Sequence, residues 1–287
     1  MPVIRTARPT PAPAEPAVPR LEHVVAFRFS AADRSPSPGD PQPYVDHLRA
    51  LHRAAGSPDP TVELAWLTEG ARVSYHDMVR VVVERMRARL DDVDLVVTVD
   101  ASPDCRHQSF PACLLGAALP GDPLVLGISE QGVAGPFTAL RLAQDQLRAG
   151  LRRRALVLVV EQSTLPPGSF AGPVQDVAVA LLLGNGPGPG PRLERPEVGI
   201  TGRGLEAAPA PPASTDAHLC AGVWLTLADQ WAGPGGPPYD PEGRLVVADR
   251  DPVLPYACRA ALTRTAPLGQ PDALPQVTAW PVLEPVA

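Results

Sequence analysis

From Ser74 to Leu90 the apolar residues Met78, Val82, Met86 and Leu90 recur every four positions, joined by Val79 and Val83, with Arg and Glu between them. That spacing predicts an amphipathic helix. Ser74 followed by Asp77 is a shortened capping box that fixes its start. Upstream, RLEHVVAFRFSA (20–31) reads as a strand, because Val24, Val25, Phe27 and Phe29 favour extended backbone and partly alternate. Downstream the pattern alternates: DLVVTV (94–99) a strand, FPACLLGAAL (110–119) a helix, PLVLGI (123–128) a strand and PFTALRLAQDQLRAG (136–150) a helix. ALVLVVE (155–161) and DVAVALLL (176–183) add two more strands. Strands this uniformly apolar need cover on both faces, which predicts a layered α/β sheet. Gly150 stands where a helix C′ residue belongs, and Arg148 meets the negative end of the dipole.

Later the signal thins. AHLCAGVWLTLADQW (217–231) reads as a helix, RLVVAD (244–249) as a strand and PVLPYACRAALTR (252–264) as a partly helical segment. Proline, 38 residues in all, crowds 2–19, 36–43, 184–213 and 232–241 and is sparse from 61 to 164. The expected organisation is a flexible Pro/Ala-rich arm (1–19), a larger half (20–184), a Pro/Gly-rich linker (185–215) and a smaller half (216–287).

Composition narrows the chemistry. All 25 basic residues are Arg, so a Schiff-base lysine, a P-loop lysine and a Ser-Lys dyad are excluded. The single Asn, Asn185, excludes any site that needs two. A net charge of -6 gives no electrostatic reason to hold nucleic acid. Cys105, Cys113, Cys220 and Cys258 are widely spaced, without the C-x-x-C pairs of zinc or dithiol sites, and read as reduced thiols. The N-terminal residues lack the apolar core of a signal peptide, and no apolar run is long enough for a membrane helix. The expectation is a cytoplasmic protein without a membrane span, cofactor or metal.

In order and spacing, several segments resemble the thiolase superfamily, and within it the β-ketoacyl-acyl carrier protein synthase III group. DLVVTVDASPD followed by FPACLLGAALPG looks like that group's strand, turn and proline-started helix. AGPFTALRLAQDQLRAGLRRRALVLVVEQS looks like its nucleophile helix and the strand after it, and DVAVALLLG like the strand following its Gly-Asp-Gly-Ala segment. The resemblance is continuous over about residues 85–185 and looser over 217–264. It implies a thiolase-like layered α-β-α fold, here with a reduced second half. It also implies a nucleophilic Cys at the tip of a buried helix, with a His and an Asn from the second half for condensation.

Those groups are not where the resemblance puts them. Counting back seven positions from Leu140 lands on Val133. If the SEQGV loop carries two extra residues the position is Gln131, and Glu130–Gln131 resembles the pair in chain-length factors, the inactive partners of paired ketosynthases. RLVVADRDPVLPYACRAAL resembles the strand and helix carrying His-Gln-Ala-Asn, with Asp249 at the His and Pro252 at the Asn, and the closing β-hairpin is expected to be absent.

Among replacement candidates, Cys113, Cys220 and Cys258 lie on apolar segments and read as packing residues. Cys105 and His107 read as surface-loop residues, and His218 as a capping or solvent-exposed one. Ser129 and Glu130, just after a strand and near the family's active-site turn, are the polar pair to test for residual acyl transfer. Arg152, Arg153 and Arg154 read as solvated charge, with an acidic acyl carrier protein as the alternative ligand.

The resemblance therefore implies a degenerate, chain-length-factor-like subunit forming a hetero-oligomer with an active ketosynthase or acyltransferase in specialised polyketide or fatty-acid biosynthesis. PLVLGI would pair across the interface. Two alternatives stand beside it: an acyltransferase of the same fold using a residue other than Cys, and a small-molecule binding module of unrelated α/β fold.

Overall fold

The computed structural model describes residues 18–30, 33, 35–36, 42–56, 71–100, 104–106, 111–163, 175–186, 190–200 and 218–264. In chain order these form β1 (Arg20–Arg28), β2 (Ser35–Pro36), α1 (Gln42–Ala54), β3 (Ala71–Arg72), α2 (Tyr75–Leu90), β4 (Leu95–Asp100), α3 (Pro111–Ala118) and β5 (Leu124–Ser129). There follow α4 (Ala134–Arg148), β6 (Arg154–Glu161), β7 (Val177–Gly184), β8 (Arg192–Leu193), β9 (Glu197–Ile200), α5 (Gly222–Ala232), β10 (Arg244–Arg250) and β11 (Tyr256–Thr263).

The main sheet runs β10-β11-β8-β1-β7-β6-β4-β5, with β9 also on β11, and β2 pairs with β3 in a separate two-stranded sheet. β4 is parallel to β5 and β6, whereas β6–β7 and β7–β1 are antiparallel. The main sheet curls around two helices. α4 packs on β4, β5 and β6 and also on β9 and β11, while α5 packs on β1 and β7 and also on β10. α2 and α3 cover the other face of the larger half, α2 lying on β6 and β7 and α3 on β4 and β5.

This layering explains the uniformly apolar strands. On β6, Ala155, Val157 and Val159 face the α4/α5 core, and Leu156, Leu158 and Val160 face α2. β7 divides in the same way, with Val177, Val179, Leu181 and Leu183 inward and Ala178, Ala180 and Leu182 outward. With both faces dry, neither parity tolerates a polar residue without hydrogen-bond partners. α2 presents Met78, Val79, Val82, Met86 and Leu90 to that outer core, and Ser74 Oγ accepts the Asp77 N–H at 3.1 Å, the cap read from the sequence. α4 ends as expected, with Gly150 at φ +68° after Ala149. β5 departs from its expected burial. It is the outermost strand, and its side chains are exposed or half-buried, Leu124 at 38%.

The smaller half differs more from expectation. Residues 252–264 are not helical: Tyr256–Thr263 is β11, paired with β10 from Arg244↔Thr263 to Arg250↔Ala257. Cys258, Ala260 and Leu262 alternate into the core, but alanines at Ala257, Ala260 and Ala261 blur the period, since Ala suits either structure. A hairpin therefore stands where a strand and a helix were expected, and residues 265–287, where a further closing hairpin was expected to be absent, lie outside the described residues. Only the inner face of the β10–β11 hairpin joins the core. The other face carries ion pairs, Arg244 to Glu194 and Arg259 to Glu197, both at 2.9 Å, and Val246 is 41% exposed. Within the expected linker, β8 bridges β1 and β11, and β9 pairs with β11, so that stretch seams the two halves. Of the expected arm, residues 1–17 lie outside the described residues.

Candidate functional site

The parallel strands β4, β5 and β6 end on one side of the sheet, in Asp100, Ser129 and Glu161. Both central helices begin there. α4 starts from Val133, which is 3% exposed and provides no side-chain cap. α5 starts from Ala221, again without a side-chain cap of its own. The first N–H groups of a helix need acceptors, and the positive end of the dipole favours anions. Each helix takes a carboxylate from elsewhere in the chain.

For α5 the donor of charge is Glu161. Its side chain is fully buried, and its oxygens accept the backbone N–H groups of Leu219, of Cys220 at 3.1 Å and of Ala221 at 2.8 Å. His218 Nδ1 lies 3.4 Å from Glu161 Oε1, with the ring only 8% exposed, so His218 is neither solvated nor a simple cap. Because residues 219–221 spend their N–H groups on Glu161, α5 begins at Gly222 and not at the predicted 217.

For α4 the acceptor is Asp251, in the turn between β10 and β11. Val133 donates its N–H to Asp251 Oδ2 at 3.0 Å. The other oxygen, Oδ1, accepts from Val253 N at 2.9 Å and Leu254 N at 2.7 Å, which folds the turn back on itself. The chain enters α4 through two left-handed residues, Glu130 at φ +58° and Gly132 at φ +51°. A Cβ on Gly132 would lie 2.0 Å from Asp251 Oδ2, so both the conformation and the close approach call for glycine.

Charge is concentrated here. Burial, then the Glu130 and Asp104 carboxylates, push the Asp100 pKa up to about 6. Asp249 is also pushed up to about 6, mainly by burial and further by Asp251 and Glu161, against the opposing Arg250 N–H. Burial and the Glu161 carboxylate drive the Cys220 thiol well above its ordinary value, and burial with Asp249 and Asp251 takes Cys258 to about 12. Both are thiols, not thiolates, at neutral pH, the reverse of what a nucleophile needs.

The predicted residues scatter around this arrangement. Val133 occupies the α4 tip itself, with half-buried Gln131 two positions before it. Ser129 and Glu130 are exposed at the end of β5, and the Glu130 carboxylate acts on Asp100. Asp249 is on a hairpin strand opposite Cys258, so the strand-to-helix junction on which its match to a catalytic His rested does not exist. Cys105 is 3% exposed, not a surface residue; its N–H donates to Gln162 Oε1 at 2.9 Å. His107 lies outside the described residues, and Cys113 is exposed on α3. Arg154 is engaged at the opposite end of the sheet with Glu22 at 2.8 Å and with Asp92, whereas the Arg153 side chain is 86% exposed. Among the described residues no group of His, Cys, Asp or Glu is arranged to hold a metal, and no helix is long and apolar enough to cross a membrane.

Sequence reasoning missed Asp100, Glu161 and Asp251. The signal for the first two was present: a single carboxylate closing an otherwise apolar strand. Asp251 had the weaker signature of Asp before Pro in a turn.

No family model matches the sequence, and no curated protein matches it. Solved structures do. OleA of Xanthomonas campestris superposes with a TM-score of 0.55 at 10% identity, covering 85% of this chain and 98% of that one. FabH of Xanthomonas oryzae, a 3-oxoacyl-(acyl carrier protein) synthase III, gives 0.55 at 11% identity over 86% and 98%. Another 3-oxoacyl-(acyl-carrier-protein) synthase III gives 0.52 at 14% over 86% and 99%. The chain thus has the thiolase-like fold of the ketosynthase III enzymes, which sets aside an unrelated α/β module. At these identities the likeness is one of fold.

Proposed function

We propose that this chain is a non-catalytic ketosynthase III-like subunit that pairs with an active ketosynthase or acyltransferase in specialised polyketide or fatty-acid biosynthesis. The observation carrying this reading is the α4 tip. In a fold that resembles thioester-handling enzymes, that tip presents the aliphatic, buried Val133, and its N–H is taken by Asp251. An isopropyl group cannot attack a thioester. The nearby thiols, Cys220 and Cys258, are held protonated. A role in contact fits the exposed edge: β5 ends the sheet with Leu124, Val125, Leu126 and Ile128 exposed or half-buried, and an unpaired apolar edge strand is a liability that a partner strand removes.

The test is co-expression with a candidate active ketosynthase, followed by size-exclusion chromatography and a condensation assay with and without this chain. A stable complex whose activity depends on this chain is expected. Activity unchanged in its absence overturns the reading. Incubation with acyl-CoA and intact-mass analysis addresses the alternative, an acyltransferase using Ser129 or Glu130. No adduct is expected, because Ser129 is exposed and forms no hydrogen bond with a base among the described residues.

A further inference from the structure

We infer that the Asp251–Pro255 turn is a built-in plug for the tip of α4, its carboxylate occupying the position where the helix would otherwise hold an external anionic or thioester group. This deepens the reading of that tip as a former thioester site and rests on it.

Three observations converge. The Asp251 carboxylate is divided between two tasks: Oδ2 takes the Val133 N–H at 3.0 Å, and Oδ1 takes Val253 N and Leu254 N at 2.9 and 2.7 Å. One side chain thereby both fills the helix tip and shapes the turn that delivers it. The backbone opposite is fitted to receive it, since a Cβ on Gly132 would meet Asp251 Oδ2 at 2.0 Å and Leu254 Cδ1 at 3.3 Å. Finally, the turn's backbone hydrogen bonds are Asp251 N to Tyr256 O at 3.0 Å and Tyr256 N to Leu254 O at 2.8 Å, while Pro252–Pro255 are exposed and Val253 is 80% exposed. A helix N-terminus is a ready anion site, and here the competing anion is tethered, so a free ligand has to compete with an intramolecular group. The tip is closed to outside anions while the turn is down.

The experiment uses the full chain with Cys113→Ser to remove the exposed thiol, and Val133→Cys to place a reporter at the tip. Alkylation by iodoacetamide is followed against pH with and without Asp251→Asn. With the plug charged, the introduced thiol should titrate at least about one unit higher than in the Asp251→Asn background, the size expected for one adjacent like charge. Equal midpoints overturn the plug. Should Val133→Cys fail to fold, amide hydrogen exchange on otherwise unaltered chains decides. Asp251→Ala and Gly132→Ala should each speed exchange at Val133 and Ala134 at least about tenfold, which is the loss of one capping hydrogen bond of about 1.4 kcal/mol. Unchanged exchange at both overturns it. None of these variants substitutes a residue of β5, so failure of the plug leaves the co-expression test of partner binding standing, and failure of that test leaves the plug.

Discussion

The two central helices lie side by side, with the rings of Phe137 in α4 and Trp224 in α5 4.9 Å apart, and they start at the same end of the sheet. Their tips are completed in different ways. Glu161 reaches α5 from the end of a core strand, is fully buried and takes three consecutive N–H groups. Asp251 reaches α4 from an exposed turn and takes one. A carboxylate delivered by the sheet is part of the architecture, because nothing can withdraw it without opening the core. One delivered by a turn is an occupant, and an occupant can be displaced.

The contrast gives graded predictions. Glu161→Ala strips three N–H groups, two of them buried, of their acceptor and should lower stability by about 3–5 kcal/mol in urea titration. A loss below about 1 kcal/mol would erase the distinction between the tips. Next in size is the pH response. Asp100 and Asp249 have folded pKa values of about 6, above the ordinary 3.8. The folded state therefore binds protons more tightly, so their contribution is fully present below about pH 4 and is lost as pH rises through 6. Asp100→Asn and Asp249→Asn should each flatten this fall and stabilise the protein at pH 8 by on the order of 1–2 kcal/mol. Thermal unfolding across pH 4–8 reports it, and an unchanged slope refutes the burial of charge at this end of the sheet. Gly132→Ala should cost about 1–3 kcal/mol through its left-handed backbone and its collision with Asp251. Asp251→Ala should cost only about 1 kcal/mol, the ordinary value of a helix cap. If Asp251→Ala proved as damaging as Glu161→Ala, the turn would be architecture too.

Where local rules and the final environment coincided, the sequence was readable. Ser74, Gly150 and the apolar parity of β6 and β7 act within a few residues or require only that both faces be dry. The reading failed where identity depended on a distant partner. Cys105 looked like a loop residue because Gln162, which fixes its N–H, is 57 positions away. His218 looked solvated because Glu161 was still only the end of a strand. Residues 252–264 looked partly helical because the ladder with β10 is what makes them extended.

The sequence alone determined the α/β class, the larger half with its doubly covered strands, and the absence of a cysteine at the start of α4. Those follow from periodicity and from residue identity, which no folding can change. Only the tertiary structure decided that residues 244–263 form a hairpin, that its outer face is held by Arg–Glu pairs, and that two carboxylates far away in sequence, one ending a strand and one in a turn, complete the two helix tips. Backbone N–H groups look alike in any sequence. Which acceptor each one finds is settled only when the sheet curls and brings the ends of β6 and β10 to the same place.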